Sequence, residues 1–320
     1  MVSPSQESWV TRRRCLQAGA VSALGGALVA PRLGQAAAPA PTRVARIAHL
    51  SDIHVQPELR AAAGAAKCLQ HVQSLPDRVD LVVTGGDTVM DAFEVDAARS
   101  AALGELWRGL LKSECSLPVR AVIGNHDVRP WTQGDAVGGD GKKAAQELLG
   151  LDARYYAFDL GNWRLIVLDT VQPHGADYAG FVDPEQRAWL EGELATVGAA
   201  RPVAIVSHIP ILTVTALVAS ADNAASGDHR IPGGFMLRDG ASLHYLLREH
   251  PNVKLCLSGH MHLVDRCEID GMTYICGGAV CANWWKGRRQ KVDEGYGLLD
   301  LYDTGLFSYA YTTYGWEAAG

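Results

Sequence analysis

Five short clusters in this chain combine carboxylate, imidazole and amide groups: Asp52-Ile53-His54, Gly86-Asp87, Gly124-Asn125-His126-Asp127, Ser207-His208 and Gly259-His260-Met261-His262. These groups bind hard to borderline metal ions through oxygen and nitrogen. Residues two apart on an extended segment point to one side, so Asp52 with His54, and His260 with His262, can each present two ligands to one space. The glycines before Asp87, Asn125 and His260 suit tight turns that bring backbone close to a ligand. One such cluster alone is weak evidence. Five in order, each behind an apolar run, form a highly specific pattern.

The apolar runs are the elements that must position the clusters. Arg43–Leu50 reads as a strand that ends at Ser51-Asp52, and a helical stretch follows over about Glu58–Leu75. Val79–Thr84 is a strand ending at Gly85-Gly86-Asp87, followed by a helix over about Val95–Leu111. Pro118–Ile123 leads to Gly124-Asn125. This βαβαβ rhythm, with polar residues just beyond strand ends, is that of an open α/β sheet with its site at the carboxyl ends. Further strands are expected near Tyr155–Asp159, Arg164–Asp169, Pro202–Val206 and Val253–Leu257, with a helix opening at Asp183-Pro184-Glu185 and another over about Ala241–Glu249. Ile211–Arg238 is weakly periodic and reads as a long surface excursion that could cover the site as a lid. From His262 to Trp316 short alternating segments and glycine turns predict a β-rich tail.

The first 38 residues differ from the rest. Arg12-Arg13-Arg14 precede an uncharged run, Ala18–Ala30, and then Ala36-Ala37-Ala38. A basic region, a short apolar region and a small-residue site together read as a cleavable leader, and the arginine pair resembles a twin-arginine (Tat) export signal. The expected organisation is therefore a leader over 1–38 and one domain over 39–320. The expected location is the periplasm or outside the cell, with transient contact to the Tat machinery. No interior run is long and apolar enough for a spanning helix, so stable membrane insertion is not expected after cleavage.

Without residues 1–38 the chain carries 25 basic and 34 acidic residues, a net charge of −9. That balance disfavours bulk binding to nucleic acid or anionic membranes. None of the six remaining cysteines forms a C-x-x-C pair, which disfavours a structural zinc site.

With the five clusters in order, the sequence resembles the calcineurin-like metallophosphoesterases, whose pattern is D-x-H, G-D, G-N-H-D/E, H, G-H-x-H. The resemblance spans about residues 46–265 and includes the stretch Gly180–Leu190. It implies an α/β four-layer sandwich of two mixed β-sheets flanked by helices, with a dinuclear metal site at strand carboxyl ends. It implies Asp52, His54, Asp87 and His262 on one metal, Asp87, Asn125, His208 and His260 on the other, and Asp87 between them. It further implies hydrolysis of small phosphate mono- or diesters by a hydroxide shared between two ions. His126 would protonate the leaving alkoxide and Asp127 would orient His126. Iron, manganese, zinc or cobalt would all suit these ligands. Family members often carry an acidic residue three positions after the bridging aspartate; here Met90 stands there and Asp91 follows.

Two further readings stay open. Trp284, Trp285, Lys286 and Arg288 join aromatic rings to cations and could frame an organic phosphate, or the tryptophans could simply pack. A non-catalytic scaffold on the same fold is the alternative to an enzyme. It would be expected to have lost ligands or His126, and all of them are present.

Overall fold

A computed structural model describes residues 40–131, 140–220, 228 and 230–318; the expected leader lies outside them. The first sheet contains β1 (Arg43–Leu50), β2 (Leu81–Thr84), β3 (Val119–Ala121), β12 (Gly295–Tyr302) and β13 (Phe307–Thr313), in the order β13-β12-β1-β2-β3. β1, β2 and β3 run parallel, and β12 and β13 add antiparallel. The second sheet contains β4 (Tyr156–Leu160), β5 (Trp163–Val167), β8 (Val203–Val206), β9 (Val253–Ser258), β10 (Val264–Ile269) and β11 (Met272–Gly277), in the order β10-β11-β9-β8-β5-β4. Its four central strands are parallel and both edges are antiparallel. A separate hairpin joins β6 (Val171–His174) to β7 (Asp177–Gly180).

The period-two alternation of the strands divides the core into three apolar layers. Ile47, Val83, Leu165, Val206 and Leu257 meet between the sheets. On the opposite face of the first sheet, Ala48, Leu50 and Val82 pack on α1 (Ala61–Gln73) and α2 (Ala97–Glu114) through Cys68, Leu69, Leu103 and Trp107. On the far face of the second sheet, Ile166, Ile205 and Tyr274 pack against α3 (Asp140–Leu149), α4 (Pro184–Thr196) and α6 (Gly240–Arg248). This is the expected sandwich of two mixed sheets flanked by helices.

Local differences from the expected elements have physical causes. The first helix starts at Ala61 rather than near Glu58, because Leu59 and Arg60 adopt left-handed conformations with φ of 52° and 57°. Asp183 caps α4 as expected, accepting a hydrogen bond from the Gln186 N–H at 3.1 Å. The β6–β7 hairpin and α3 carry no clear sequence signal. α3 buries Lys142, and an ion pair with Asp169 replaces the apolar residue that periodicity would look for. Within the excursion Ile211–Arg238 a short helix forms, α5 (Thr215–Ala219), while residues 221–227 and 229 of the expected lid lie outside those described. Among the described residues no helix is long and apolar enough to cross a membrane.

Candidate dinuclear metal centre

All five clusters sit just beyond the carboxyl ends of β1, β2, β3, β8 and β9. Hydrogen bonds across the two sheets lock those ends together. His208 Nδ1–H donates to the Gly85 carbonyl at 2.8 Å, and the His260 backbone N–H donates to both Asp52 carboxylate oxygens at 2.9 and 3.1 Å. Ser51 Oγ–H donates to Asp52 Oδ2 at 2.5 Å.

Two sets of donor atoms converge there. In the first, His54 Nε2 and His262 Nε2 are 3.1 Å apart. Asp52 Oδ1 is 3.3 Å from His262 Nε2, and Asp87 Oδ2 is 3.7 Å from His54 Nε2. In the second, His208 Nε2 is 3.1 Å from Asp87 Oδ2, 3.1 Å from Asn125 Oδ1 and 3.3 Å from His260 Nδ1. Asp87 Oδ2 belongs to both sets. Asp87 Oδ1 accepts the His126 backbone N–H at 2.8 Å.

The imidazole tautomers suit cations. His54, His208 and His262 each turn Nδ1 to a backbone carbonyl, of Met90 at 3.3 Å, Gly85 at 2.8 Å and Ala282 at 2.5 Å. With the proton held on Nδ1, the Nε2 lone pair faces the centre. Burial, followed by the charge of His126, lowers the His54 pKa to about 3. Burial, followed by the charge of His208, lowers that of His260 to about 4. Two imidazole nitrogens 3.1 Å apart in a buried site satisfy each other poorly, and a cation between them resolves the conflict. These residues therefore fit two oxygen- and nitrogen-bound metal ions. Cys281 Sγ lies near the first set, but it approaches His262 Nδ1, at 3.9 Å, the nitrogen turned away from the convergence point.

One expectation is corrected here. The pairs Asp52 with His54 and His260 with His262 share a side, but not through extended backbone. Their φ values are 55°, 47°, 73° and 55°, and that of Asp87 is 51°. The chain turns sharply at each ligand and sends the intervening Ile53 and Met261 into the core. Left-handed backbone at non-glycine residues costs about 1–3 kcal/mol each and persists where its surroundings over-determine it. The Trp285 indole N–H, donated to the His54 carbonyl at 3.0 Å, is one such restraint. Gly124 and Gly259 are required by close approach. A Cβ on Gly124 would lie 2.0 Å from the Asp87 backbone nitrogen, and one on Gly259 would lie 1.6 Å from Ser51 Oγ.

His126 lies beside both sets, its ring 4.9 Å from that of His54, and one of its ring nitrogens comes within 4.8 Å of ligand atoms of His54 and Asp87. Asp127, expected to orient it, does not meet the His126 ring. The fully buried Asp127 carboxylate accepts backbone N–H groups of Thr88 at 2.8 Å, Val89 at 3.2 Å and Gly124 at 2.9 Å, tying the second cluster to the third. The carboxylate facing His126 Nδ1 is Asp91, at 3.5 Å. Burial would lower the His126 pKa, but the charges of Asp87 and Asp91 outweigh it and raise the value, favouring the protonated ring.

The four residues expected to frame a substrate separate. Trp284 lines the cavity over the metal site, its ring 4.6 Å from His262. Trp285 is 1% exposed and belongs to the core beneath α1, so it is a packing residue. Lys286 is exposed, and Arg288 is held at the surface by Asp293, its Nη2 3.0 Å from Oδ2. Both Trp284 and Trp285 have left-handed backbone, with φ of 49° and 67°, in a tight turn that places their rings on different surroundings. Sequence reasoning missed Tyr178 and Phe235, which wall the same cavity of about 160 Å³ together with Arg289, the neighbour of Arg288 in the stretch that joins tryptophans to cations. Tyr178 and Phe235 lie outside the motifs, and no spacing rule marks them.

The calcineurin-like phosphoesterase family model matches residues 45–264, from β1 through the last histidine cluster. The chain belongs to the calcineurin-like phosphoesterases. It is 23% identical over 270 residues to the 3′,5′-cyclic adenosine monophosphate phosphodiesterase CpdA of Pseudomonas aeruginosa, covering 81% of this chain and 86% of that protein. It is 26% identical over 221 residues to a "Probable cyclic nucleotide phosphodiesterase" of a Synechococcus species, covering 68% and 72% of the two chains. A dimetal phosphatase from Danio rerio shares the fold with a TM-score of 0.58 at 17% identity, over 86% of this chain and all of that one.

Proposed function

We propose that this phosphoesterase hydrolyses phosphate esters of small organic molecules with two metal ions, exported by the Tat route. The observation that carries the reading is the pair of converging donor sets that share Asp87 Oδ2 beside a partly exposed His126. Asp52, His54, Asp87 and His262 would hold one ion, and Asp87, Asn125, His208 and His260 the other. Divalent ions held there supply Lewis acidity and a water acidic enough to ionise near neutral pH. His126 stands where the metal-site cavity meets a neighbouring one of about 380 Å³ walled by Asp91, Phe93 and Tyr178. A leaving alkoxide directed into that second cavity would take its proton from His126, whose Nδ1 faces the Asp91 carboxylate at 3.5 Å. The names of the relatives make small phosphodiesters the first substrates to test.

The test is hydrolysis of bis(p-nitrophenyl) phosphate and p-nitrophenyl phosphate by the protein lacking residues 1–38, with metal content measured on the same sample. Turnover that requires about two ions per chain, and that disappears together with bound metal in Asp87→Ala, supports the reading. Metal-loaded protein that cleaves neither ester overturns it.

A further inference from the structure

Among the described residues, Arg289 is a cation without a carboxylate partner. Among the described residues it makes no ion pair, and its Nε–H is buried with no hydrogen-bond acceptor. Its guanidinium lies 4.9 Å over the Trp284 ring, and Trp284 packs on His262. Its backbone is pinned by a reciprocal pair of hydrogen bonds with Val292, both 3.0 Å. Neighbouring Arg288 is neutralised by Asp293, so the lack of a carboxylate at Arg289 is particular to that position. Buried polar atoms without partners are uncommon in native proteins, and one at the wall of a site points to a ligand that completes it.

We propose that Arg289 binds a non-esterified oxygen of the substrate phosphoryl group and selects monoesters over diesters. The inference rests on the phosphoesterase reading. Arg289 shares the wall of one 160 Å³ cavity with Asp87, Asn125, His126 and His260. A phosphoryl group seated among those residues shares one wall with the guanidinium. The planar fork matches phosphate oxygens, and stacking on Trp284 fixes its plane before a ligand arrives. A monoester has three non-esterified oxygens and a diester has two. Two metal ions can engage two of them, and the third, present in the monoester alone, is left for Arg289. In a diester that position carries the second organic group, which meets Trp284, Phe235 and Tyr178 instead.

The experiment compares kcat/KM for p-nitrophenyl phosphate and bis(p-nitrophenyl) phosphate in the metal-loaded protein and in Arg289→Gln. The affinity of each for inorganic phosphate is measured by calorimetry. The monoester-to-diester ratio should fall about 10- to 100-fold, the range for losing charge-assisted hydrogen bonds, and phosphate should bind at least about tenfold more weakly. Arg289→Lys, which keeps the charge and loses the fork, should fall between; it carries the same test if Arg289→Gln loses its metals. An unchanged ratio with unchanged phosphate affinity overturns the inference and leaves the phosphoesterase reading standing. So does a parent protein that cleaves the diester and not the monoester. Metal-loaded protein that cleaves neither ester overturns both.

Discussion

Replacing Asp127 and Asp91 separately distinguishes a carboxylate that builds the site from one that acts through His126. Asp127 accepts three backbone N–H groups at 2.8, 2.9 and 3.2 Å in a site with no exposure. Asp127→Ala leaves three buried donors unpaired. At about 1–3 kcal/mol each, with some relaxation, the loss is about 4–6 kcal/mol. That is a large part of a typical folding free energy and corresponds to a fall in melting temperature on the order of 10 °C. The second and third clusters share these bonds, so metal affinity should fall with stability. Asp91→Ala removes acceptors from the Phe93 and Glu94 N–H groups, at 2.8 and 3.0 Å, in a half-buried turn, a loss of about 1–2 kcal/mol. It also removes the carboxylate 3.5 Å from His126 Nδ1, so kcat should fall about 10- to 100-fold with metal content intact. The assays are thermal melting, metal content and steady-state kinetics on both variants. The assignment is refuted if Asp127→Ala melts as the parent does and loses kcat at full metal occupancy, while Asp91→Ala keeps its kcat.

Two further outcomes follow from packing. Gly259→Ala would drive a methyl group to 1.6 Å from Ser51 Oγ and 2.5 Å from Asp52 Oδ2, and Ser51 is itself held by Asp52. Metal content should fall from about two ions per chain towards one, read by elemental analysis; a fully loaded variant would show that the close approach is dispensable. Asp169→Ala leaves the buried Lys142 without its carboxylate and removes one of the two carboxylates on Arg154, at 2.9 Å, while Asp183 at 3.0 Å still holds it. Removing one partner of a buried pair costs about 3–5 kcal/mol, visible in denaturant unfolding, while metal content should be unchanged.

The sequence by itself determined the order of the clusters, the strand before each, and the residue types that suit metal ions. Those are local properties: β1 ends where it was expected to, at Leu50, and Asp183 caps its helix as a short-range motif should. Pairing across the chain was not legible. His54 and His262 are 208 residues apart, as are Asp52 and His260, and their contacts exist because parallel strands of two sheets end at one rim. Asp127 adjoins His126 in sequence, yet the tight turn Asn125–Asp127 sends its carboxylate back to the Thr88 and Val89 amides and leaves His126 to Asp91. Trp284 and Trp285 are neighbours of identical type, yet one packs on His262 and the other lies in the core with its indole N–H on the His54 carbonyl. Residue type and spacing set what chemistry was available; tertiary structure decided which groups met, because direction and distance between remote segments are set by packing.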